Sequence, residues 1–209
     1  MTTTAIILAA GASRRLGFPK QLVKVDGVSL VKKTALSLIE AGIDRIAVVT
    51  GAWHMELERE MTGLSIDTIH NEGWRNGLGS SIAYGATWAL SDESSEQAIF
   101  VSTDQWKLSS NDIVDLMEKS AEGRADVVAA SFRGRAGIPV LVKGRMVLSE
   151  LSRITGDAHP MTYLESLSSA MEFVTMEHAS MALENPAHLI ELSEHFDVTV
   201  SKPVAAPAC

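Results

Sequence analysis

The segment Leu8-Ala9-Ala10-Gly11-Ala12-Ser13-Arg14-Arg15-Leu16-Gly17-Phe18-Pro19-Lys20 places small residues first and basic residues after them. Small residues let backbone N–H groups approach a ligand closely. Arginine offers a fork of donors suited to phosphate, and lysine adds a compact positive charge. A triphosphate, with several negative charges, matches this composition. Two common phosphate loops are excluded by spacing. Gly11 and Gly17 are one residue too far apart for G-x-x-x-x-G-K-[ST], Phe18 follows, and no G-x-G-x-x-G occurs here. Spacing alone leaves two readings open: a phosphate loop, or a basic surface loop that solubilises a strand end.

Two further segments carry candidate chemistry. In Asn71 to Ile82, glycines precede a helix start with Ser80 and Ser81 in its first turn. Helix N-termini bind anions through free N–H groups and the helix dipole, although a plain capped helix reads the same way. In Ser102-Thr103-Asp104-Gln105-Trp106 an acidic residue follows an apolar run. A carboxylate at a strand end suits Mg²⁺, which prefers oxygen ligands and bridges phosphates; a capping turn aspartate is the other reading. The six histidines form no metal signature, and the single cysteine, Cys209, excludes a disulfide within the chain and a cysteine zinc site.

These segments need a scaffold that brings strand ends together. Apolar runs alternate with helical patterns: strands over Ala5–Ala10, Arg45–Thr50, Ile66–His70, Ala98–Ser102 and Asp126–Ser131, with helices between them. Continuous rather than alternating apolar runs imply strands covered on both faces. The alternation implies a mostly parallel sheet with right-handed crossovers, a Rossmann-like three-layer α/β/α fold. Ser109 and Asp112 have capping-box spacing before a helix over Ile113–Ser120. The last third predicts a strand over Ile138–Val142, helices over Val147–Arg153 and Thr162–Leu167, a strand over Glu172–Met176, and a helix from Pro186 to about Glu194. The expected organisation is one domain over residues 1–201 and a disordered Pro/Ala-rich tail over 202–209. Hydrophobic residues are 46% and the formal net charge is -8, which speaks against disorder and against a general nucleic-acid-binding surface. The first apolar run is too short for a membrane span. A cytoplasmic location suits the cysteine usage.

The first loop resembles the signature of the nucleotidyltransferases, in particular the molybdenum cofactor cytidylyltransferase group, L-A-A-G-x-S-x-R-x-G-x-x-K. Leu8, Ala9, Ala10, Gly11, Ser13, Arg15, Gly17 and Lys20 meet it, while Arg14 falls at a variable position. The resemblance implies the nucleotide-diphospho-sugar transferase type of fold. It also implies nucleotide binding by Leu8, Ala9, Ala10, Gly11 and Ser13, and charge stabilisation at the α-phosphorus by Arg15 and Lys20. Asn71 to Ile82 is similar to the family's N-x-x-W-x-x-G-M-x-S-S-L and implies nucleotide contacts from Gly79, Ser80 and Ser81. Asp104-Gln105 matches the family's D-Q-P except for Trp106, and implies Asp104 as the Mg²⁺ ligand, joined by Asp157 and Glu184 from two less faithful segments.

The implied reaction moves CMP from CTP to a phosphate-bearing acceptor, molybdopterin, with release of pyrophosphate and a transient contact with a molybdoenzyme. A methylerythritol-phosphate cytidylyltransferase, a molybdenum cofactor guanylyltransferase and a non-catalytic nucleotide or cofactor carrier are the alternatives. Trp106, His159, Pro160 and Glu184 are where the chain departs from the pattern.

Overall fold

The computed structural model describes residues 2–43, 45–156, 160–167, 171–183, 185–196 and 198–203. Strand β1 (Thr2–Leu8) leads through the first loop to two short strands, β2 (Lys24–Val25) and β3 (Val28–Ser29), and then to α1 (Leu30–Glu40). Strand β4 (Arg45–Thr50), α2 (His54–Met61), β5 (Asp67–His70), α3 (Leu78–Leu90), β6 (Ser95–Ser102) and α4 (Ser110–Glu122) continue the alternation. The last third runs β7 (Val127–Phe132), β8 (Arg135–Lys143), α5 (Arg145–Leu151), α6 (Pro160–Leu167), β9 (Met171–Thr175), α7 (Pro186–His195) and β10 (Val200–Ser201).

Seven strands form one sheet in the order β5-β4-β1-β6-β8-β7-β9. β1 pairs in parallel with β4 and β6, β4 with β5, and β7 with β9. β8 runs antiparallel to both β6 and β7. The alternating pattern therefore reads the parallel part correctly but hides that β8 inserts between β6 and β7. A strand's apolar pattern reports burial, not direction.

Alternation along β1 divides the core into two layers. Ala5, Ile7 and Ala9 point into a cluster with Val31, Leu38, Leu57 and Leu116 from α1, α2 and α4. Ile6, Leu8 and Ala10 point the other way, into a cluster with Ile82, Ala86, Leu148 and Leu164 from α3, α5 and α6. A strand with both faces buried reads as a continuous apolar run, as this one does. The structure is thus a mostly parallel sheet between two helical layers.

Two strands begin earlier than their apolar runs suggest. β1 starts at Thr2 and β6 at Ser95, because polar residues pair there. Thr4 is fully buried; its hydroxyl lies 3.1 Å from Ser95 Oγ and donates to the Gln97 carbonyl at 3.3 Å. Buried polar groups satisfied by each other carry no hydrophobic signal. The capping box before α4 forms as its spacing predicts: Ser109 accepts from the Asp112 amide, and Asp112 accepts from the Ser109 amide.

A second, smaller sheet, β10-β2-β3, has no sequence signature because its strands are two residues long. Beside it, Leu16, Val23, Val25 and Leu30 pack with Leu183, Leu189 and Leu192 around Trp106. The Trp106 ring meets Phe196 edge-on at 5.0 Å. Trp106 therefore docks α7 on the first loop's return path, and it also borders a cavity of about 170 Å³ together with Arg133, Ser180 and His188. Where the sequence resembles a proline turn, this chain spends a large ring on packing.

Gly85 sets how closely α3 approaches β1. A Cβ built there would lie 2.5 Å from Ile6 Cγ2, and Ile6 is fully buried. Helix propensity favours alanine over glycine by about 1 kcal/mol, whereas overpacking costs about 1–3 kcal/mol. With no space for Ile6 to yield, the second effect wins. Gly85→Ala is expected to lower the urea midpoint of unfolding; an unchanged or raised midpoint would contradict this packing account.

Candidate functional site

The loop from Ala9 to Lys20 leaves the carboxyl end of β1, at the centre of the sheet. Its shape follows from where its carbonyls go. The buried Gln21 side chain donates from Nε2 to the Ala9 and Gly11 carbonyls, both at 2.8 Å. The Ala10 carbonyl accepts from the Ala52 amide at 3.1 Å, and the Ala12 carbonyl from the Trp53 indole at 3.3 Å. The Ser13 carbonyl accepts from the amides of Leu16 and Gly17.

Five successive carbonyls are thus tied to protein. Among the described residues, the amides of Gly11, Ala12, Ser13 and Arg14 donate to no protein acceptor. A row of unpaired amides on a tight loop is an anion-binding concavity. Ser13 holds the turn: its φ is 53°, and its hydroxyl accepts from the Lys20 amide at 3.1 Å and donates to Gln21 Oε1 at 3.3 Å.

The loop borders a cavity of about 410 Å³. Its apolar lining comes from Leu8, Ala10, Trp74, Leu78 and Ile138, and its polar lining includes Arg14, Lys20, Arg75, Ser81, Ser102 and Asp104. A second, wider cavity of about 790 Å³ shares Ser102, Asp104 and Ile138 with the first, and extends past Gln105, Arg135, Met161 and Glu165. Asp104 therefore stands where the two meet. Its Oδ2 accepts from Lys20 Nζ at 2.5 Å and its Oδ1 from the Ser102 hydroxyl at 2.5 Å.

The next residue, Gln105, is 6% exposed and pins this junction. Its Nε2 donates to the carbonyls of Ile138 and Ala179, and its backbone bridges to Ala182. Three distant segments are thereby held around one aspartate.

Of the residues singled out in the sequence, Leu8, Ala10, Gly11, Lys20, Ser81 and Asp104 border the first cavity together. Arg15 does not border it, whereas Arg14 does. Ala9 faces the opposite core layer and gives its carbonyl to Gln21. Gly79 and Ser80 also stay off the lining. The Gly79 amide donates to the Gly156 carbonyl at 3.0 Å, and the Ser80 hydroxyl to the carbonyls of Gly73 and Gly77.

At the start of α3 the Gly79 amide and the Ser80 hydroxyl are thus engaged by neighbouring backbone, while Gly77, Leu78 and Ser81 border the cavity. Asn71 organises this stretch, donating to the Ser80 and Ser81 hydroxyls and accepting from the Gly73 amide. Asp157 and Glu184, the two further candidate metal ligands, lie outside the described residues, as does His159. Among the described residues no three His, Cys, Asp or Glu side chains gather as a metal site. No helix among them is long and apolar enough to cross a membrane.

Sequence reasoning missed Gln21, Trp53 and Asn71 as shapers of the loop. Gln21 directly follows Lys20, and a single amide between a lysine and a leucine carries no periodic signal. Asn71 stood in the quoted segment, yet only its contacts reveal that it holds the two serines.

The family model described as MobA-like NTP transferase domain matches residues 5–171. Nicotine blue oxidoreductase from Paenarthrobacter nicotinovorans is 27% identical over 167 residues, covering 77% of this chain and 80% of that protein. A nucleotidyl transferase from Methanothermobacter superposes with a TM-score of 0.76 at 18% identity, covering 93% of this chain and 97% of its own. Molybdopterin-guanine dinucleotide biosynthesis protein A from Archaeoglobus fulgidus superposes with a TM-score of 0.68 at 14% identity, covering 92% and 97%. At these identities the two structures speak for the fold alone.

Two substitutions separate the loop's shape from its openness. Gln21→Ala strands the buried Ala9 carbonyl, at a cost of about 1–3 kcal/mol, and is expected to lower both the melting temperature and nucleotide affinity. A methyl group at Gly11 would meet no protein atom within 4 Å, so Gly11→Ala should leave the melting temperature unchanged while weakening nucleotide binding. Unaltered binding by Gly11→Ala would mean that the open side of the loop takes no ligand.

Proposed function

This chain belongs to the MobA-like NTP transferase domain family, and we propose that it moves a CMP group from CTP to a phosphate-bearing acceptor, molybdopterin, with release of pyrophosphate. The observation that carries this reading is the junction at Asp104. A loop of open amides and cations borders one cavity, a second cavity adjoins it, and the Lys20–Asp104 pair stands between them.

The triphosphate lies along the open amides of the loop after β1. The acceptor's phosphate enters from the wider cavity. One of its oxygens forms a bond to the α-phosphorus, the bond from that phosphorus to the bridging oxygen breaks, and pyrophosphate leaves with the electron pair. The attacking group is already an anion, so no strong general base is required. Catalysis is positioning plus electrostatic stabilisation. Lys20 supplies positive charge beside the reacting phosphorus, and Arg15 is the second cation implied by the signature.

Mg²⁺ is the proposed metal, and the donors present suit it. It is commonly held by one or two carboxylates, with phosphates and waters completing its shell; Asp104 is such a carboxylate, with Asp157 and Glu184 proposed as further donors. When bound, the metal offsets phosphate charge. Both Asp104 oxygens are engaged, by Lys20 and Ser102, so for Asp104 to hold a metal the Lys20 ammonium would have to turn from the carboxylate toward the phosphates.

CTP is proposed over GTP because the Ala10 methyl group, on the lining beside Leu8 and Trp74, narrows the space for a purine. Product hand-over to a molybdoenzyme fits this reading. A sugar-phosphate cytidylyltransferase and a guanylyltransferase use the same junction with another acceptor or base. A carrier would bind nucleotide or cofactor without turnover. The relative named as an oxidoreductase supports a further reading, in which the site serves reduction chemistry.

A panel of nucleoside triphosphates against phosphate-bearing acceptors, followed by pyrophosphate release, tests these together. CTP with molybdopterin is expected to release pyrophosphate. Binding without release favours the carrier, and oxidation of a reduced cofactor without release favours the oxidoreductase. Lys20→Ala should lose about 10²–10³ in turnover, the usual cost of removing one preorganised stabilising donor. The same variant should bind Mn²⁺ more tightly than the parent chain without nucleotide, because Asp104 is freed. Near-normal turnover in Lys20→Ala would refute the role given to that lysine.

A further inference from the structure

The first cavity presents positive charge that the loop signature does not account for. Lys20 is not free charge, because its ammonium sits 2.5 Å from Asp104 Oδ2 and the pair is neutral as a unit. Arg15 does not border the cavity. Arg14 and Arg75 do, and they stand on separate elements: Arg14 on the loop after β1, Arg75 on the single turn Trp74–Asn76 before α3.

Among the described residues neither arginine meets a carboxylate. The one contact shown for Arg75 is with the face of the Trp74 ring, 4.7 Å from guanidinium carbon to ring centre. A ring-face contact uses no N–H donor, so the donors of the fork stay available. The turn that presents Arg75 is anchored. The Trp74 amide donates to the Asn71 carbonyl at 3.2 Å, and Trp74 leaves no room at Gly51 for even a methyl group.

Two uncompensated cations on one cavity, in a chain of formal charge -8, repel each other until an anion joins them. A chain whose balance is acidic gains nothing in solubility from such a placement. Arginine is also the better side chain here than lysine, since its planar fork grips phosphate oxygens in pairs.

We propose that Arg14 and Arg75 form a two-sided clamp on the polyphosphate of the bound nucleotide, and that the arginine at the signature position, Arg15, is secondary to them. The inference rests on the nucleotide reading of this cavity and assigns two residues that the loop motif leaves unspecified. Arg14 approaches from the side of the open amides. Arg75 approaches from the turn that also carries the aromatic wall, so closing the clamp aligns the phosphates across the cavity. That alignment directs the α-phosphorus toward Asp104 and the adjoining cavity.

The test is calorimetric titration of the parent chain, Arg14→Ala, Arg75→Ala and Arg15→Ala with CTP, CMP and inorganic tripolyphosphate, with melting curves to check folding. Arg14 and Arg75 are both exposed, so the variants are expected to fold normally. Each of Arg14→Ala and Arg75→Ala should lose at least about tenfold in affinity for CTP and tripolyphosphate, the scale of one charge-assisted contact. CMP affinity should fall far less, Arg15→Ala should lose less than either, and Arg75→Lys should recover only part of the loss.

A loss equal for CMP and CTP, or a larger loss in Arg15→Ala, overturns the clamp. Unchanged binding in both variants, with CTP still bound by the parent chain, overturns the clamp and leaves the nucleotide reading standing. A parent chain that binds neither CTP nor tripolyphosphate overturns both.

Discussion

The parallel pairing of β1 with β6 is the constraint on which the site depends. It sets Leu8 opposite Ser102, so the loop that leaves one strand and the aspartate that follows the other emerge side by side. Without that register, Lys20 and Asp104, 84 residues apart in sequence, would have no reason to meet. The pairing is itself secured by apolar residues on both faces of β1 and by the buried Thr4–Ser95 contact at its other end. Hydrophobic burial supplies the energy, while the polar contact helps select the register.

Above that pairing, the first loop is shaped by satisfying acceptors. A backbone carbonyl turned inward must find a donor. Gln21, Ala52 and Trp53 supply donors on one side of the loop, and the amides are thereby left on the other. The openness that suits an anion is a by-product of where the carbonyls are anchored. This is also why Ser13 and Ala9 matter without touching the cavity: one closes the turn, and the other offers a carbonyl to the buried amide.

The same accounting explains the regions that depart from expectation. The amide of Gly79 donates to Gly156 and the hydroxyl of Ser80 to the preceding turn, so these two groups pack the start of α3 while Ser81 borders the cavity. Trp106, at the position where the motif has proline, is absorbed into a cluster that carries α7 and the small sheet. In both places tertiary neighbours engage part of a local motif, while Ser81 and Trp106 still border cavities.

Much of the architecture was legible in the sequence. Buried strands announce themselves as unbroken apolar runs, and Arg45–Thr50 appears with its bounds intact. Capping residues mark helix starts, as Ser109 and Asp112 do. The small-then-basic composition of the run from Gly11 to Lys20 was legible too, whereas the anchoring of its carbonyls was not. Strand order was not legible, since β8 carries the same apolar pattern whether it runs parallel or antiparallel. Neither was which of the basic residues border the cavity. The family signature implies Arg15, while the structure sets Arg14 on the cavity; a side chain's direction depends on the turn beneath it, and that turn is held by Gln21 and Ser13. Sequence by itself determined which residue types gather at the carboxyl ends of the strands. Only the tertiary structure decided which of them face the cavity, because backbone satisfaction and burial are settled between segments far apart in the chain.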